Sequence, residues 1–149
     1  MDSVTIKIKK LSSNVITPEY KTDGSSGADL YAYLPHPSDP LIIESGQICT
    51  ISTGISVEIP YGYEIQIRPR SGLASAGLTV INTPGTIDSD YRGEIKVMLI
   101  NHGTHPFSVS DGMRIAQMVV APVLRAKFKV VDKLDETKRG EGGFGSTGV

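Results

Sequence analysis

Cysteine is almost missing from this sequence, long apolar runs are missing altogether, and neither sign of charge prevails: 15 Lys and Arg stand against 16 Asp and Glu, a net charge of −1. Each scarcity excludes something. The single cysteine, Cys49, rules out a disulfide within the chain and suits a reducing compartment, so a cytoplasmic location is expected. Between the strand-like neighbours Ile48 and Ile51 it reads as a small core residue rather than a nucleophile. A near-neutral balance leaves no basic footprint for nucleic acid and no polybasic patch for a membrane surface; any anionic ligand has to be met by locally clustered cations. No apolar run approaches the roughly 18 residues of a membrane span, and MDSVTIKIKK lacks the apolar centre of a signal peptide. The three histidines, His36, His102 and His105, lie in Pro/Gly-rich loops without ligand spacing, so no zinc site is legible.

What is present points to one globular domain with a tail. The 149 residues are 39% hydrophobic and 21% charged, ordinary values for a packed domain. Apolar residues alternate in short runs: Val4, Ile6, Ile8; Ile55, Val57, Ile59; Tyr63, Ile65, Ile67; Ile95, Val97, Leu99. Period two predicts half-buried strands. Turn signals such as SSG, ESG, PYG, NHG and SDG leave no room for a long amphipathic helix, and only GLASAG, residues 72–77, has the small residues of a helical turn. The predicted class is all-β, a barrel, sandwich or jelly roll.

Five stretches carry polar groups that scaffolding does not need. SGADLYA places Asp29 inside an apolar pattern, where a buried carboxylate requires a cation, water or backbone partner; capping of the turn beside Gly27 is the plainer alternative. RPRSGLA ends a strand with two arginines and then offers Ser71 and Gly72 at the start of the helical turn, a set that suits phosphate oxygens, although Ser71 would equally serve as a cap. NTPGTIDSDYRGE carries Asp88 and Asp90, which share a face if the chain is extended there, so that one could act as a base; a merely polar turn is equally compatible. RIAQMVV sets Gln117 in an apolar strand, where backbone partners explain most such amides. The tail RGEGGFGSTGV has the spacing of a P-loop between Gly140 and Gly145, but Ser146 stands where the lysine should be and no helix can follow. What remains is a flexible backbone rich in N–H donors, with Arg139 as a cation and Phe144 as a flat apolar surface.

Taken together and in this order, the five stretches resemble the motifs of the trimeric deoxyuridine triphosphate nucleotidohydrolase (dUTPase) family, over nearly the whole chain from Gly27 to Gly148. The resemblance implies a jelly-roll or distorted β-barrel over residues 1–136. It further implies a flexible arm over 137–149, exchanged within a homotrimer whose active sites are shared. The first, second and fourth motifs would come from one subunit, the third from a neighbour and the arm from the remaining one. The implied reaction is Mg²⁺-dependent hydrolysis of dUTP to dUMP and pyrophosphate, which limits uracil incorporation into DNA and supplies dUMP for thymidylate synthesis.

By the same resemblance Asp88 is the general base, with Asp90 the lesser candidate, and Asp29 holds magnesium through water. Arg70, Ser71, Gly72, Gln117, Arg139, Gly145, Ser146 and Thr147 meet the triphosphate. Asn82, Thr86, Ile87 and the hairpin backbone read uracil, Tyr91 lies under the deoxyribose with Lys96 near that wall, and Phe144 covers the base. Neither a membrane nor a nucleic-acid partner is implied. The rival readings are a dCTP deaminase of the same superfamily, for which Glu94 is the only nearby glutamate, and a nucleotide-sensing regulator.

Overall fold

Alternating segments become sheet where one face finds a core to cover. The computed structural model describes residues 3–148. In it β1 (Lys7–Lys10), β2 (Ala28–Tyr31), β3 (Leu41–Ile43), β4 (Ile48–Glu58) and β5 (Tyr63–Arg68) lead to a short helix, α1 (Ser71–Ser75). Then follow β6 (Leu78–Val80), β7 (Gly85–Ile87), β8 (Glu94–Asn101), β9 (Phe107–Val109) and β10 (Arg114–Pro122). The strands form three antiparallel sheets in the orders β1-β4-β8-β6, β2-β10-β5-β7 and β3-β9. The chain is thus all-β with one short helix, as expected, and its sheets make a distorted jelly-roll-like fold without closing into a single barrel.

The alternation locates the core. Ile55, Val57, Ile59, Ile65, Ile67, Ile95, Val97 and Leu99 are each at most 3% exposed and pack in one cluster with Leu30, Ile43 and Ile115. The first run departs from this pattern. β1 is the edge strand of its sheet and Ile8 is 37% exposed, because pairing on one side leaves the strand little to bury against. The helical turn also begins one residue earlier than expected, with Arg70 at its N-cap and no side-chain capping bond. Ser71 is therefore the first helical residue and not the cap.

Among the described residues no strand or helix follows Pro122. β10 stops at Pro122, Val123 N–H donates to Gly62 O at 2.8 Å, and beyond it Leu124, Phe128 and Val130 are almost wholly exposed. Leu124, Ala126, Phe128 and Val130 alternate with Arg125, Lys127 and Lys129, the pattern of a strand, yet this segment joins none of the chain's own sheets. The boundary expected at 136/137 falls within this exposed stretch.

Candidate active site

The central position of β10 assembles one side of the site. It pairs with β2 on one flank and β5 on the other, so that Gln117 lies opposite both Asp29 and Arg68. From β5 the chain runs through Pro69 and Arg70 into α1, which brings Arg70, Ser71 and Gly72 to the same end. Strict alternation would turn Arg114 away from Gln117, three residues on. A register shift between Arg114 and Ala116 supplies an extra residue, leaves both Ile115 and Ala116 buried, and brings the Arg114 side chain to Asp29. Lys21, Ser25, Ser26, Gly27, Asp29, Arg70, Ser71, Gly72, Arg114 and Gln117 thereby line a cavity of about 290 Å³.

Asp29 organises this cavity and is no turn cap. Its side chain is 12% exposed; Oδ1 accepts from Arg70 Nε at 3.2 Å and Oδ2 from Arg114 Nη1 at 3.1 Å. Arg70 Nη1 also donates to Arg114 O at 3.4 Å, which ties the two cations together. Removing one partner of a buried ion pair costs about 3–5 kcal/mol, and less where, as here, the guanidinium side chains keep 27% and 43% exposure. The carboxylate thus holds two arginines at fixed positions without consuming all their donors. Gln117 Nε2 donates to Pro69 O at 3.0 Å, the backbone partner that an amide in an apolar strand needs. A Cβ on Gly27 would fall 2.3 Å from Gln117 Oε1, so a side chain there would displace the Gln117 amide from this position. Among the described residues no group of three or more His, Cys, Asp and Glu side chains could cage a metal. Magnesium fits this donor set only as a guest of the phosphates. A carboxylate offers about four lone-pair sites, and Asp29, with one guanidinium contact at each oxygen, retains acceptors for a metal-bound water.

The third stretch lies elsewhere. β7 ends at Ile87, and Asp88 to Asp90 form a turn closed by Tyr91 N–H on Asp88 O at 3.1 Å, so the two carboxylates do not share the face of an extended strand. Both line a second cavity of about 580 Å³ with Tyr61, Tyr63, Glu64, Leu124 and Arg125, and this cavity shares no lining residue with the first. Thr86 pairs across from Gln66, and Asn82 stands close enough to Gly85 that a Cβ there would lie 3.2 Å from its Nδ2. Tyr91 Oη donates to Glu94 O at 2.9 Å, with the ring folded over Gly93, whose Cβ would come within 2.4 Å of that oxygen. Lys96 lines neither cavity and lies 3.9 Å from Glu94 Oε2. Glu94 Oε1 accepts the Gly54 N–H at 3.0 Å, a structural task that leaves it a poor deaminase glutamate. In the arm, Phe144 is fully exposed and Arg139 Nε donates to Gly142 O at 2.8 Å; neither these residues nor Gly145, Ser146 and Thr147 line either cavity.

Comparison with known proteins identifies the family. The dUTPase family model matches residues 13–148. The chain belongs to the dUTPase family. It is 52% identical over 149 residues to the deoxyuridine 5'-triphosphate nucleotidohydrolase of Syntrophotalea carbinolica, covering 99% of each chain. It is 55% identical over 145 residues to that of Crocosphaera subtropica, covering 97% of this chain and 99% of the relative. Its fold matches the dUTPase of Staphylococcus bacteriophage 80alpha, solved with dUPNHPP, at a TM-score of 0.86 and 26% identity, over 99% of this chain and 100% of that one. The chain is therefore a dUTP diphosphatase, hydrolysing dUTP to dUMP.

Two cations of this dUTPase's cavity, Arg114 and Lys21, escaped the sequence reading of the site. Arg114 stands in a stretch singled out for Gln117; strict alternation would put the two on opposite faces, and the bulge that brings Arg114 to Asp29 has no signature in RIAQMVV. Lys21 precedes the first motif, in a polar segment without periodicity. Its place is set by an antiparallel bridge between Glu19 and Asp29, in which Asp29 N–H donates to Glu19 O at 2.9 Å.

Proposed function

We propose that the active site is shared among three chains: the cavity of Asp29, Arg70, Ser71, Gly72, Arg114 and Gln117 takes the triphosphate, Asp88 of a neighbour aims the water, and the arm of the remaining chain closes the pocket. The observation that carries this is the separation, within one chain, of the cationic cavity from the Asp88 hairpin, together with an arm that reaches neither. Assembly into a homotrimer is further supported by apolar surface that has no partner in the chain. Ile48, Ile81 and Met98, on strands of one sheet or at their ends, are 37–50% exposed, and the projecting segment from Leu124 to Val130 has one apolar edge. Exchange of that segment between subunits would cover it. The lone cysteine supports residence in the reducing cytoplasm.

In this scheme Asp88 accepts the proton of a water whose oxygen attacks the α-phosphorus; the bond from that phosphorus to the bridging oxygen breaks, and pyrophosphate leaves in line. Arg70 and Arg114, held by Asp29, and Arg139 of the arm stabilise charge on the departing oxygens, with Ser71, Gly72, Gln117, Gly145, Ser146 and Thr147 donating to the phosphates. Magnesium bound to the triphosphate, with Asp29 reaching it through water, would supply further neutralisation of that charge. Asn82, Thr86, Ile87 and the hairpin backbone read the uracil edge. There cytosine would leave groups unpaired, at a cost of about 10⁴-fold or more in specificity. Tyr91, fixed by Glu94 O and Gly93, walls off a ribose hydroxyl. Lys96, which lines neither cavity, is a peripheral contributor.

Hydrolysis in oxygen-18-labelled water tests the direction of attack. The label is expected in dUMP, the product that retains the α-phosphorus. Label in pyrophosphate would mean attack at the β-phosphorus, and would contradict the geometry assigned to Asp88.

A further inference from the structure

We propose that Lys21 is a third phosphate-binding cation of the cationic cavity, held ready by Glu19 and released to the β,γ end of the triphosphate when substrate arrives. This rests on the assignment of the triphosphate to that cavity.

The lining residues carry three cations, Lys21, Arg70 and Arg114, and one carboxylate, Asp29, which already engages both arginines. Lys21 is the cation that Asp29 does not hold. Its Nζ donates to Glu19 Oε2 at 2.5 Å and sits 5.8 Å from the centre of the Tyr31 ring, and Tyr31 Oη donates to the same Glu19 oxygen at 3.4 Å. An ammonium has three donors, so two remain after the contact with Glu19.

The surrounding backbone makes this more than a chance surface pair. The bridge from Glu19 to Asp29 fastens the Lys21 segment to β2, the strand that carries the cavity's central carboxylate, and Tyr31 of β2 lies under the lysine. The hydrogen bond from Lys21 holds the Glu19 carboxyl below its usual value, and the same bond holds the Lys21 ammonium above its own. Both side chains are nonetheless well exposed, at 43% and 60%, and such pairs are weak enough to be exchanged for a more highly charged partner. A polyphosphate is such a partner: its terminal groups are dianionic near neutrality and present several acceptor oxygens to a point charge. Because Asp88 is absent from this cavity, the α-phosphorus must face the neighbouring chain, which leaves the β- and γ-phosphates to the cations here. Lys21 would bind them equally in the ground and transition states, and so act on KM.

The test is steady-state kinetics of full-length Lys21→Ala and Lys21→Arg, with pyrophosphate and dUMP as inhibitors and Ser71→Ala measured in parallel. For Lys21→Ala the KM for dUTP should rise about 3–10-fold with kcat within about twofold, the signature of lost uniform binding. Pyrophosphate inhibition should weaken by the same factor while dUMP inhibition, which lacks the β,γ end, stays unchanged; Lys21→Arg should restore wild-type values to within about twofold. Unchanged KM and pyrophosphate inhibition in Lys21→Ala, beside impaired Ser71→Ala, would overturn the role of Lys21 and leave the cavity assignment standing. Equal weakening of dUMP and pyrophosphate inhibition would also overturn it, as would unchanged triphosphate binding in both variants, which removes the cavity assignment as well.

Discussion

Asp88→Asn is expected to bind dUTP with near wild-type affinity while its turnover falls by about 10²-fold or more, the loss that follows removal of a positioned base. The substitution is nearly isosteric. In the chain itself Asp88 is exposed in the hairpin turn, where its backbone carbonyl rather than its side chain receives the Tyr91 N–H. Exposed substitutions of this kind change stability by about 0.5 kcal/mol or less. The thermal midpoint should therefore stay at the wild-type value, so that lost turnover cannot be put down to unfolding. Calorimetric titration with a non-hydrolysable dUTP analogue and steady-state turnover separate the two effects. Turnover within a few fold of wild type would remove Asp88 from the role of base and make Asp90, beside it in the same cavity, the next carboxylate to test.

Truncation after Lys138 is expected to leave a folded oligomer with about 10²-fold less activity. The hydrogen bonds of the removed segment stay within the tail: Gly140 N–H to Thr137 O, Gly142 N–H to Arg139 O, Ser146 N–H to Gly143 O and Gly148 N–H to Gly145 O. Phe144 is fully exposed and touches no core, so its loss uncovers nothing. Its backbone φ of 49° and those of Gly140, Gly145 and Gly148, between 54° and 96°, are left-handed; the glycines reach this region without strain, and they let the arm turn repeatedly over a short length. The expected loss comes from the active site. Removal of a phosphate cation and of the surface that excludes water from the base lowers transition-state stabilisation without affecting the fold. Unaltered thermal midpoint and oligomer mass with strongly reduced kcat would match this; full activity would make the tail a solvated end.

The sequence carried the sheets and most of the cationic cavity, and its failures have separate physical causes. Ile55 to Ile59, Ile65 with Ile67 and Ile95 to Leu99 were legible because each run buries one complete face, which period two reports directly. Ile8 obeys the same period at a sheet edge and stays exposed, since periodicity records a face and not its depth. Asp29, Arg70, Ser71 and Gln117 come together as the order of their stretches implies, but Arg114 depends on a bulge and Lys21 on a single bridge, and neither leaves a pattern in residue type. For Asp88 and Asp90 the sequence left an extended pair and a turn equally open, and the structure has the turn, which begins at the end of β7. The early departure of the chain at Pro122 was hidden for the opposite reason: residues 124–130 alternate like the buried strands, and nothing in that alternation tells whose sheet they join.

Subunit mixing tests the central claim most directly. Asp88→Asn chains lack the base but keep an intact cationic cavity, whereas Ser71→Ala chains have the reverse defect. Denatured together in equal amounts and refolded, roughly three quarters of the proposed trimers should contain both chains. Each of these has one site that joins an unaltered cavity to an unaltered Asp88, so about one quarter of all sites should recover. With mixed trimers verified by mass, recovery of about a quarter of wild-type activity is the predicted result. A mixture no more active than its two parents would contradict a site built across chains.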